Sequence, residues 1–341
     1  MRQSILLLLA LALGACGEDE STLKARLQNL GVSTRALFAP PSSEELSASR
    51  TARPRDRSPD SALVLETRVT ESGDSLRVVS HRVDGELRYG AIYVPADASE
   101  LTPVLVSSIG FGPPFELPLD GIPGAGFNGT AISAFPAFRG HTLRLGEQSW
   151  VAEGERFDQC DGGTEDALHF LEVVFALEPL ADPERVIFAG GSRGGNVSMI
   201  AALRDDRIDR VASIAGPTSY LVEEFADNPN LRPLYENWFV RDLLDGSGSV
   251  AAARARMIAC SPLYFIDELP PTQLHHGTAD VQVPLRSATD FIAARDSQGI
   301  PSERLEVFLY EGEGHSFSTR LQEVNARIIE FSSDLFLGVN E

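Results

Sequence analysis

The sequence predicts an α/β fold with a mostly parallel central sheet and helices on both faces. Two features support this prediction. Beyond residue 100, strand-like apolar runs alternate with helix-like amphipathic segments, which is the pattern of parallel strands joined by crossover helices. The segment 103–109 is a continuous apolar run that ends at glycines, as expected for a central strand covered on both faces.

The order of the elements follows from the same patterns. Apolar and alternating runs predict strands at 62–69, 76–80, 87–94, 103–109, 185–189, 210–215, 272–276 and 305–310. Helical spacing predicts helices at 164–177, 194–204, 285–297 and 318–336. The segment 217–260 is polar and aromatic, and we expect it to form a helical insertion over the sheet.

The N-terminus has the pattern of a secretory leader. Arg2 makes the start weakly basic, and residues 4–13 form an apolar run too short to cross a bilayer as a mature helix. Small residues then precede Cys16, so residues 1–15 are identified as a bacterial lipoprotein signal peptide. A cleaved leader followed by a chance cysteine is the alternative.

We therefore expect Cys16 to carry a lipid that anchors the chain to the bacterial cell envelope, facing the periplasm or the surface. Residues 16–60 are rich in Ser, Pro, Arg and acidic residues, which predicts a flexible tether with at most a short helix near 23–30. The α/β domain is expected at 61–341, in contact with the membrane only through the lipid.

Composition narrows the range of partners. The formal net charge of −20 argues against nucleic-acid binding, because phosphates are neutralised by clustered Lys and Arg, and no basic run is present. Hydrophobic residues make up 43% of the chain, enough for a large core. In an oxidising envelope Cys160 and Cys260 can pair as a disulfide, or they can remain two separate buried thiols.

Residues 190–194 read Gly-Gly-Ser-Arg-Gly, a G-x-S-x-G motif centred on Ser192. The motif directly follows the strand 185–189 and opens a helix, which is the strand–turn–helix context of a nucleophile elbow. Small neighbours allow the tight turn, and the start of a helix favours developing negative charge. Ser192 is therefore predicted to be a nucleophile, with an ordinary glycine-rich turn as the alternative.

A serine hydroxyl needs a base near neutral pH. His315 lies on a glycine-flanked loop directly after the strand 305–310, and no other histidine lies on a comparable loop. Asp280 follows the strand 272–276 and can accept a hydrogen bond from the imidazole ring, stabilising its charged form. A surface histidine and a turn aspartate are the alternatives, but the chain order Ser192, Asp280, His315 is that of α/β-hydrolases.

Three motifs together resemble the catalytic domain of the prolyl oligopeptidase family. They are Gly-Gly-Ser-Arg-Gly-Gly at 190–195, His-Gly-x-x-Asp-x-x-Val-Pro at 276–284 and Glu-Gly-x-Gly-His-x-Phe at 311–317. Pro-Ala-Phe-Arg-Gly at 136–140 and Ser-Pro at 261–262 add to the similarity, which spans about residues 76–336. The resemblance implies an α/β-hydrolase fold and hydrolysis of an ester or amide bond through an acyl-enzyme.

The sequence departs from that family in the loop after the first central strand. Family peptidases often place a tyrosine hydroxyl there as an oxyanion donor, where this chain has Phe111. We expect backbone N–H groups to serve instead, one from Arg193 and one from Phe111 or Gly112. Esterases of the same fold use such a pair, so a serine peptidase and a carboxylesterase both stay open.

Other side chains near these motifs have two interpretations each. Arg193 can bind an acidic substrate group or form a structural ion pair. Trp150 and Trp238 can line a pocket or pack in the core or a lid. His275 and His276 are adjacent in a strand and point to opposite faces, so no shared metal is expected, nor any cofactor.

The sequence therefore predicts a lipid-anchored serine hydrolase that cleaves a small ester or peptide substrate through an acyl-enzyme. A catalytically silent binding lipoprotein that keeps the fold is the alternative from another class. The missing tyrosine donor favours that alternative, and the intact set of Ser192, Asp280 and His315 opposes it. A transferase with the same three residues would differ only in the acceptor of the acyl group.

Overall fold

The computed structural model describes residues 22–53, 56–58, 60–99, 101–110, 112, 115–120, 130–158, 160–228 and 231–337. The leader, Cys16 and Phe111 lie outside these residues, so lipidation and one oxyanion donor stay predictions. Within the part of the chain that the structure describes, every helix is too short or too polar to cross a membrane.

The domain is built around a nine-stranded sheet, with a small three-stranded sheet beside it. The strands are β1 (Asp60–Val69), β2 (Ser75–Val83), β3 (Glu86–Val94), β4 (Thr102–Ser108), β5 (Glu116–Pro118), β6 (Ile132–Ala137), β7 (Thr142–Leu145), β8 (Gln148–Val151), β9 (Ala181–Gly191), β10 (Ile208–Ile214), β11 (Thr272–Gly277) and β12 (Leu305–Tyr310). The large sheet has the order β1-β2-β3-β6-β4-β9-β10-β11-β12. Pairing is antiparallel from β1 to β6 and parallel from β6 to β12, which confirms the predicted mostly parallel sheet.

Helices cover the sheet and its edge. They are α1 (Leu23–Asn29), α2 (Thr34–Leu37), α3 (Ser43–Thr51), α4 (Asp161–Leu177), α5 (Arg193–Ala202), α6 (Glu223–Asp227), α7 (Arg232–Tyr235), α8 (Arg241–Leu244), α9 (Val250–Ala259), α10 (Arg286–Ser297) and α11 (Leu321–Leu337). A π-helical turn at Glu236–Val240 and a 3₁₀ segment at Pro262–Glu268 complete the pattern. The helices predicted around α4, α5, α10 and α11 are all present.

The apolar run that predicted a central strand is buried on both faces. Val104 and Val106 of β4 belong to the core cluster shared with α4, α5 and α10. Leu105 between them belongs to a second cluster, which contains Val324 and Ile328 of α11. Because side chains alternate along a strand, a strand between two helical layers needs apolar residues at every position.

The segment 217–260 forms the predicted helical insertion, with α6, α7, the π-helical turn, α8 and α9. It follows the carboxyl end of β10, so it lies over the edge where the parallel strands end. Its apolar side chains build a separate buried cluster that includes Tyr220, Phe239 and Met257. The insertion therefore has its own core beside the sheet.

The flexible tether expected at 16–60 is wrong for the described residues of that segment. Residues 22–53, called the arm from here on, form α1, α2 and α3, and the short helix expected near 23–30 is α1. Leu23, Leu27 and Leu37 of the arm are fully buried. They pack into the cluster of the insertion, so tertiary contacts order a segment whose composition alone favours disorder.

Candidate active site

Ser192 occupies the sharp turn between β9 and α5. Its backbone has φ +55° and ψ −122°, a conformation that is strained for a residue with a side chain. A Cβ atom on Gly194 would collide with the carbonyl oxygen of Ser108, and one on Gly190 would collide with the backbone of Gly194. The glycines of the motif are thus required by close backbone packing, as in a nucleophile elbow.

His315 and Asp280 are in direct contact. The ring nitrogen Nδ1 of His315 lies 2.7 Å from Oδ2 of Asp280, whose side chain is fully buried. The other oxygen, Oδ1, accepts the N–H groups of Gln282 (2.8 Å) and Val283 (3.0 Å). The carboxylate is therefore fixed by its own loop, and a neutral ring that donates from Nδ1 keeps Nε2 as an acceptor.

The three predicted side chains lie at the same edge of the sheet. Ser192 follows β9, while Asp280 and His315 lie on the loops after β11 and β12, and these strands run parallel in one half of the sheet. The two loops are joined through their backbones, because the N–H of Ala279 donates to the carbonyl oxygen of Glu313 (2.9 Å). The carboxyl ends of parallel strands are where α/β proteins gather functional side chains.

Arg193 is buried beside the nucleophile, with 2% of its surface exposed. Its guanidinium group donates to the carbonyl oxygens of Ile109 (3.2 Å) and Gly110 (2.9 Å). It also lies 4.4 Å from the centre of the Phe138 ring, and burial lowers the pKa of Arg193 to about 9. These contacts give the side chain a role that the sequence did not suggest, because they fasten the loop after β4 to the elbow.

The loop after β4 passes next to the nucleophile. A Cβ atom on Gly110 would lie 3.4 Å from the Cβ atom of Ser192, which is van der Waals distance, so the loop lies directly against the nucleophile. Arg193 is the first residue of α5, and Gly112 follows two positions after Gly110. Backbone from the loop and from the start of α5 therefore flanks Ser192, as an oxyanion site built from N–H groups requires.

A narrow apolar cavity of about 50 Å³ opens beside Ser192. The insertion supplies most of its wall. Besides Ser192 and Arg193, its lining consists of Pro217, Tyr220, Phe225, Leu231, Leu234, Tyr235, Trp238, Gln282 and Val283. The sequence indicated Trp238 as a candidate lining residue but missed the others, because helices this short carry no periodicity that marks an inward face. Trp150 packs instead against the cluster of β2, β3 and β7.

Cys160 and Cys260 form a disulfide, the first of the two options left open by the sequence, with their Cα atoms 5.9 Å apart. Cys160 precedes α4 and Cys260 follows α9, so the bond ties the insertion to the helical layer on the sheet. A groove of about 430 Å³ runs along the disulfide, and Trp238 lines both this groove and the cavity beside Ser192.

Asn196 is a site residue that the sequence analysis missed. It is fully buried on α5, one turn after Ser192. Its Nδ2 donates to the carbonyl oxygens of Pro217 (2.8 Å) and Cys260 (3.0 Å), which lie at the two ends of the insertion. A polar residue four positions after the nucleophile, on an otherwise apolar helix face, was the signal that could have identified it.

The paired histidines of β11 have structural partners. Nδ1 of His275 lies 2.9 Å from the hydroxyl of Tyr310, and Nε2 of His276 lies 3.0 Å from the carbonyl oxygen of Val283. Burial lowers the pKa of His275 to about 3 and also lowers the pKa of His276, so both rings are neutral at pH 7. Among the residues that the structure describes, no group of His, Cys, Asp and Glu could hold a metal ion.

The strand order and the strained serine at the carboxyl end of a parallel strand define an α/β-hydrolase fold. The sequence model of the prolyl oligopeptidase family matches residues 132–337, which is more than half of the chain. The protein therefore belongs to the prolyl oligopeptidase family of serine hydrolases, as the motifs predicted.

Solved structures of low sequence identity share the fold. The sequence identity to a puromycin-hydrolyzing peptidase of Mycobacterium tuberculosis is 20% (TM-score 0.56), over 76% of this chain and 39% of that one. The identity to an acylaminoacyl peptidase of Pyrococcus horikoshii is 16% (TM-score 0.57), over 82% of this chain and 50% of that one. The identity to acetyl xylan esterase 1 of Thermoanaerobacterium sp. is 14% (TM-score 0.58), over 86% of this chain and 93% of that one.

At these identities the similarity establishes the fold alone. The chain spans half or less of the length of the two peptidases and most of the length of the esterase. A search of curated proteins gives no significant match.

Proposed function

We propose that this protein is a serine hydrolase that cleaves short-chain acyl esters through an acyl-enzyme intermediate. The observation that carries the proposal is the 2.7 Å contact between His315 Nδ1 and Asp280 Oδ2, at the sheet edge where Ser192 sits in a strained turn. Backbone strain at a serine, at the same sheet edge as an oriented histidine and a buried carboxylate, is a combination that catalysis explains and packing alone does not.

In the proposed reaction, His315 accepts the proton of Ser192 as the hydroxyl oxygen attacks the carbonyl carbon of the substrate. Asp280 keeps the proton on Nδ1, so that Nε2 acts as the base, and it stabilises the imidazolium that forms. The imidazolium then gives its proton to the leaving alcohol. A water molecule, activated by the same histidine, releases the acyl group and restores the serine.

The tetrahedral intermediate carries a negative charge that needs donors. We assign these donors to the N–H of Arg193 and one N–H from Phe111 or Gly112. The position of Arg193 at the start of α5 supports the first, and the approach of Gly110 to Ser192 supports a donor from the same loop. Phe111 carries no hydroxyl group, so the donors in this loop are backbone groups.

The cavity beside Ser192 supports a small, uncharged acyl group. Its lining from the insertion is apolar and aromatic, and its volume of about 50 Å³ suits a short chain. The charge of Arg193 is engaged by the carbonyl groups of Ile109 and Gly110, which leaves the apolar wall to select the substrate.

Peptidase activity is the second candidate, because the family match favours it. The same three residues can cleave an amide when the imidazolium protonates the leaving amine. An amine is a poorer leaving group than an alcohol, so amide cleavage depends more strongly on that protonation than ester cleavage does.

Cys16 is proposed, on the sequence pattern alone, to carry the lipid that anchors this hydrolase to the cell envelope. The small ester or peptide substrate would then meet a domain held at a membrane surface and otherwise in water. Incorporation of labelled palmitate, lost in Cys16→Ser, would test this part of the proposal separately from the activity.

The decisive experiment compares the chain from residue 17 onward with Ser192→Ala and with Ser302→Ala, an exposed serine away from the elbow. Hydrolysis of p-nitrophenyl acetate, p-nitrophenyl butyrate and aminoacyl-p-nitroanilides is measured for each. We expect ester turnover to fall at least about 10³-fold in Ser192→Ala and to stay unchanged in Ser302→Ala.

Each outcome has a clear meaning. Ester turnover without anilide cleavage supports the esterase, and anilide cleavage that depends on Ser192 supports the peptidase. Equal activity in the parent and Ser192→Ala contradicts the assignment of the nucleophile. Absence of turnover together with no labelling of Ser192 by a fluorophosphonate favours the catalytically silent lipoprotein.

A further inference from the structure

The arm is fastened to the insertion by a nearly buried arginine. Arg254 of α9 is 7% exposed and donates from its guanidinium group to the carbonyl oxygens of Ala36 (2.9 Å), Leu37 (2.9 Å) and Ala39 (2.8 Å). It also makes a two-point ion pair with Glu45 (2.7 and 2.9 Å). A guanidinium group whose donors all meet the arm holds α2 and α3 in a defined position on the insertion.

The apolar side of the arm packs into the core that carries the cavity wall. The buried leucines of α1 and α2 share one cluster with Tyr220, Phe225 and Tyr235. These three aromatic residues also line the cavity beside Ser192. One continuous packed unit therefore connects the arm with the surface that faces the substrate.

Phe38 makes the most direct connection to that wall. Its ring stacks on the ring of Tyr235, with centroids 6.4 Å apart and an angle of 30° between the planes. The hydroxyl of Tyr235 donates to the carbonyl oxygen of Tyr220 (3.1 Å), so the two tyrosines of the wall are joined. Nη1 of Arg26 on α1 donates to both carboxylate oxygens of Glu236, the residue after Tyr235 (both distances 2.8 Å).

We propose that the arm shapes the substrate site from behind its wall, with Phe38 as a positioning residue that fixes Tyr235 and thereby limits the length of the acyl group. This inference rests on the proposed function and deepens it. Phe38 itself does not line the cavity. When its ring is removed, Tyr235 gains space behind it, the cavity deepens, and longer acyl chains fit.

The test measures kcat/KM for p-nitrophenyl acetate, butyrate and hexanoate in the parent, Phe38→Ala and Phe38→Leu. We expect the hexanoate-to-acetate ratio of kcat/KM to rise about tenfold in Phe38→Ala, mainly through KM, since one methylene group in a pocket changes selectivity at least about tenfold. Phe38→Leu keeps most of the volume and should restore most of the parent ratio. The kcat for acetate should stay within about threefold, because the elbow is unchanged.

Leu46→Ala is the matched control, because Leu46 packs from α3 against the same cluster. It should lower thermal stability as much as Phe38→Ala while leaving the acyl-length ratio unchanged. Equal ratios in the parent and Phe38→Ala, within about twofold, would overturn the proposal and leave the arm a purely stabilising element.

A binding measurement keeps this result separate from the catalytic assignment. In a Ser192→Ala background, titration with phenyl hexanoate is followed by the change in tryptophan fluorescence, because Trp238 lines the cavity and Trp150 does not. If the parent shows no turnover that depends on Ser192, the proposed function is refuted. Even then, tighter binding of phenyl hexanoate in Phe38→Ala supports the role of the arm, and unchanged binding refutes it.

Discussion

Arg193→Met is the substitution that tests most directly how this site is held together. The guanidinium group makes two hydrogen bonds to carbonyl oxygens of the loop that runs beside Ser192. Hydrogen bonds from a charged donor contribute about 1.5–3 kcal/mol each. Removal of the charge also removes its desolvation penalty, which offsets much of that loss in the free energy of unfolding.

The effect on catalysis should be larger than the effect on stability. The loop after β4 is expected to supply one oxyanion donor, and loss of one such donor lowers kcat about 10²–10³-fold. A loop released at Ile109 and Gly110 can still bind ester but holds the donor less accurately. We therefore expect Arg193→Met to lower kcat about 10²-fold, with KM within about threefold and the free energy of unfolding within about 2 kcal/mol.

The assay is steady-state hydrolysis of p-nitrophenyl acetate, with urea denaturation of each variant. Arg193→Lys keeps the charge but not the planar guanidinium group that places one nitrogen between the two carbonyl oxygens, so it should recover only part of kcat. The control is Arg327→Met on α11, which removes a guanidinium group 4.3 Å from the centre of the Phe308 ring of β12 and should leave kcat unchanged. A kcat for Arg193→Met within threefold of the parent would refute the reasoning.

Two further predictions concern stability. Replacing Cys160 and Cys260 by serine frees a loop with a sequence separation of 100, so the free energy of unfolding measured in urea should fall by about 2–4 kcal/mol. The reduced parent should match the variant. An unchanged urea midpoint would contradict this prediction. Burial lowers the pKa of His275 from 6.5 to about 3. Between these two pH values the unfolded chain binds a proton at His275 that the folded chain does not, so the free energy of unfolding decreases as the pH falls. His275→Gln should make this slope shallower by about 1.4 kcal/mol per pH unit, and equal slopes from pH 6.5 to 4 would disprove the assignment.

The central sheet and the motifs could be read from the sequence because their signals are local. The run 103–109 is apolar at every position except Ser107 and Ser108, and the G-x-S-x-G motif sits between a strand and a helix within about fifteen residues. The same holds for the loops that carry Asp280 and His315, since each directly follows a predicted strand, at 272–276 and at 305–310. In these segments, local propensity and the final fold agree.

The arm and the wall of the cavity could not be read in this way. Leu23, Leu27 and Leu37 are separated by polar residues, and their burial depends on a surface about two hundred residues away in the chain. Arg193 shows the same limit of what a sequence can predict. A sequence shows an arginine after the nucleophile, but only the fold shows that its partners are carbonyl groups of residues 109 and 110.

The arm also has a consequence for where the substrate comes from. Thr22, the residue before α1, is six positions after Cys16. An extended chain of that length reaches about 20 Å, so a lipid on Cys16 would hold α1 and the adjoining insertion close to the bilayer. A short apolar ester that partitions into the lipid headgroup layer would then be present near the domain at a higher local concentration than in bulk water.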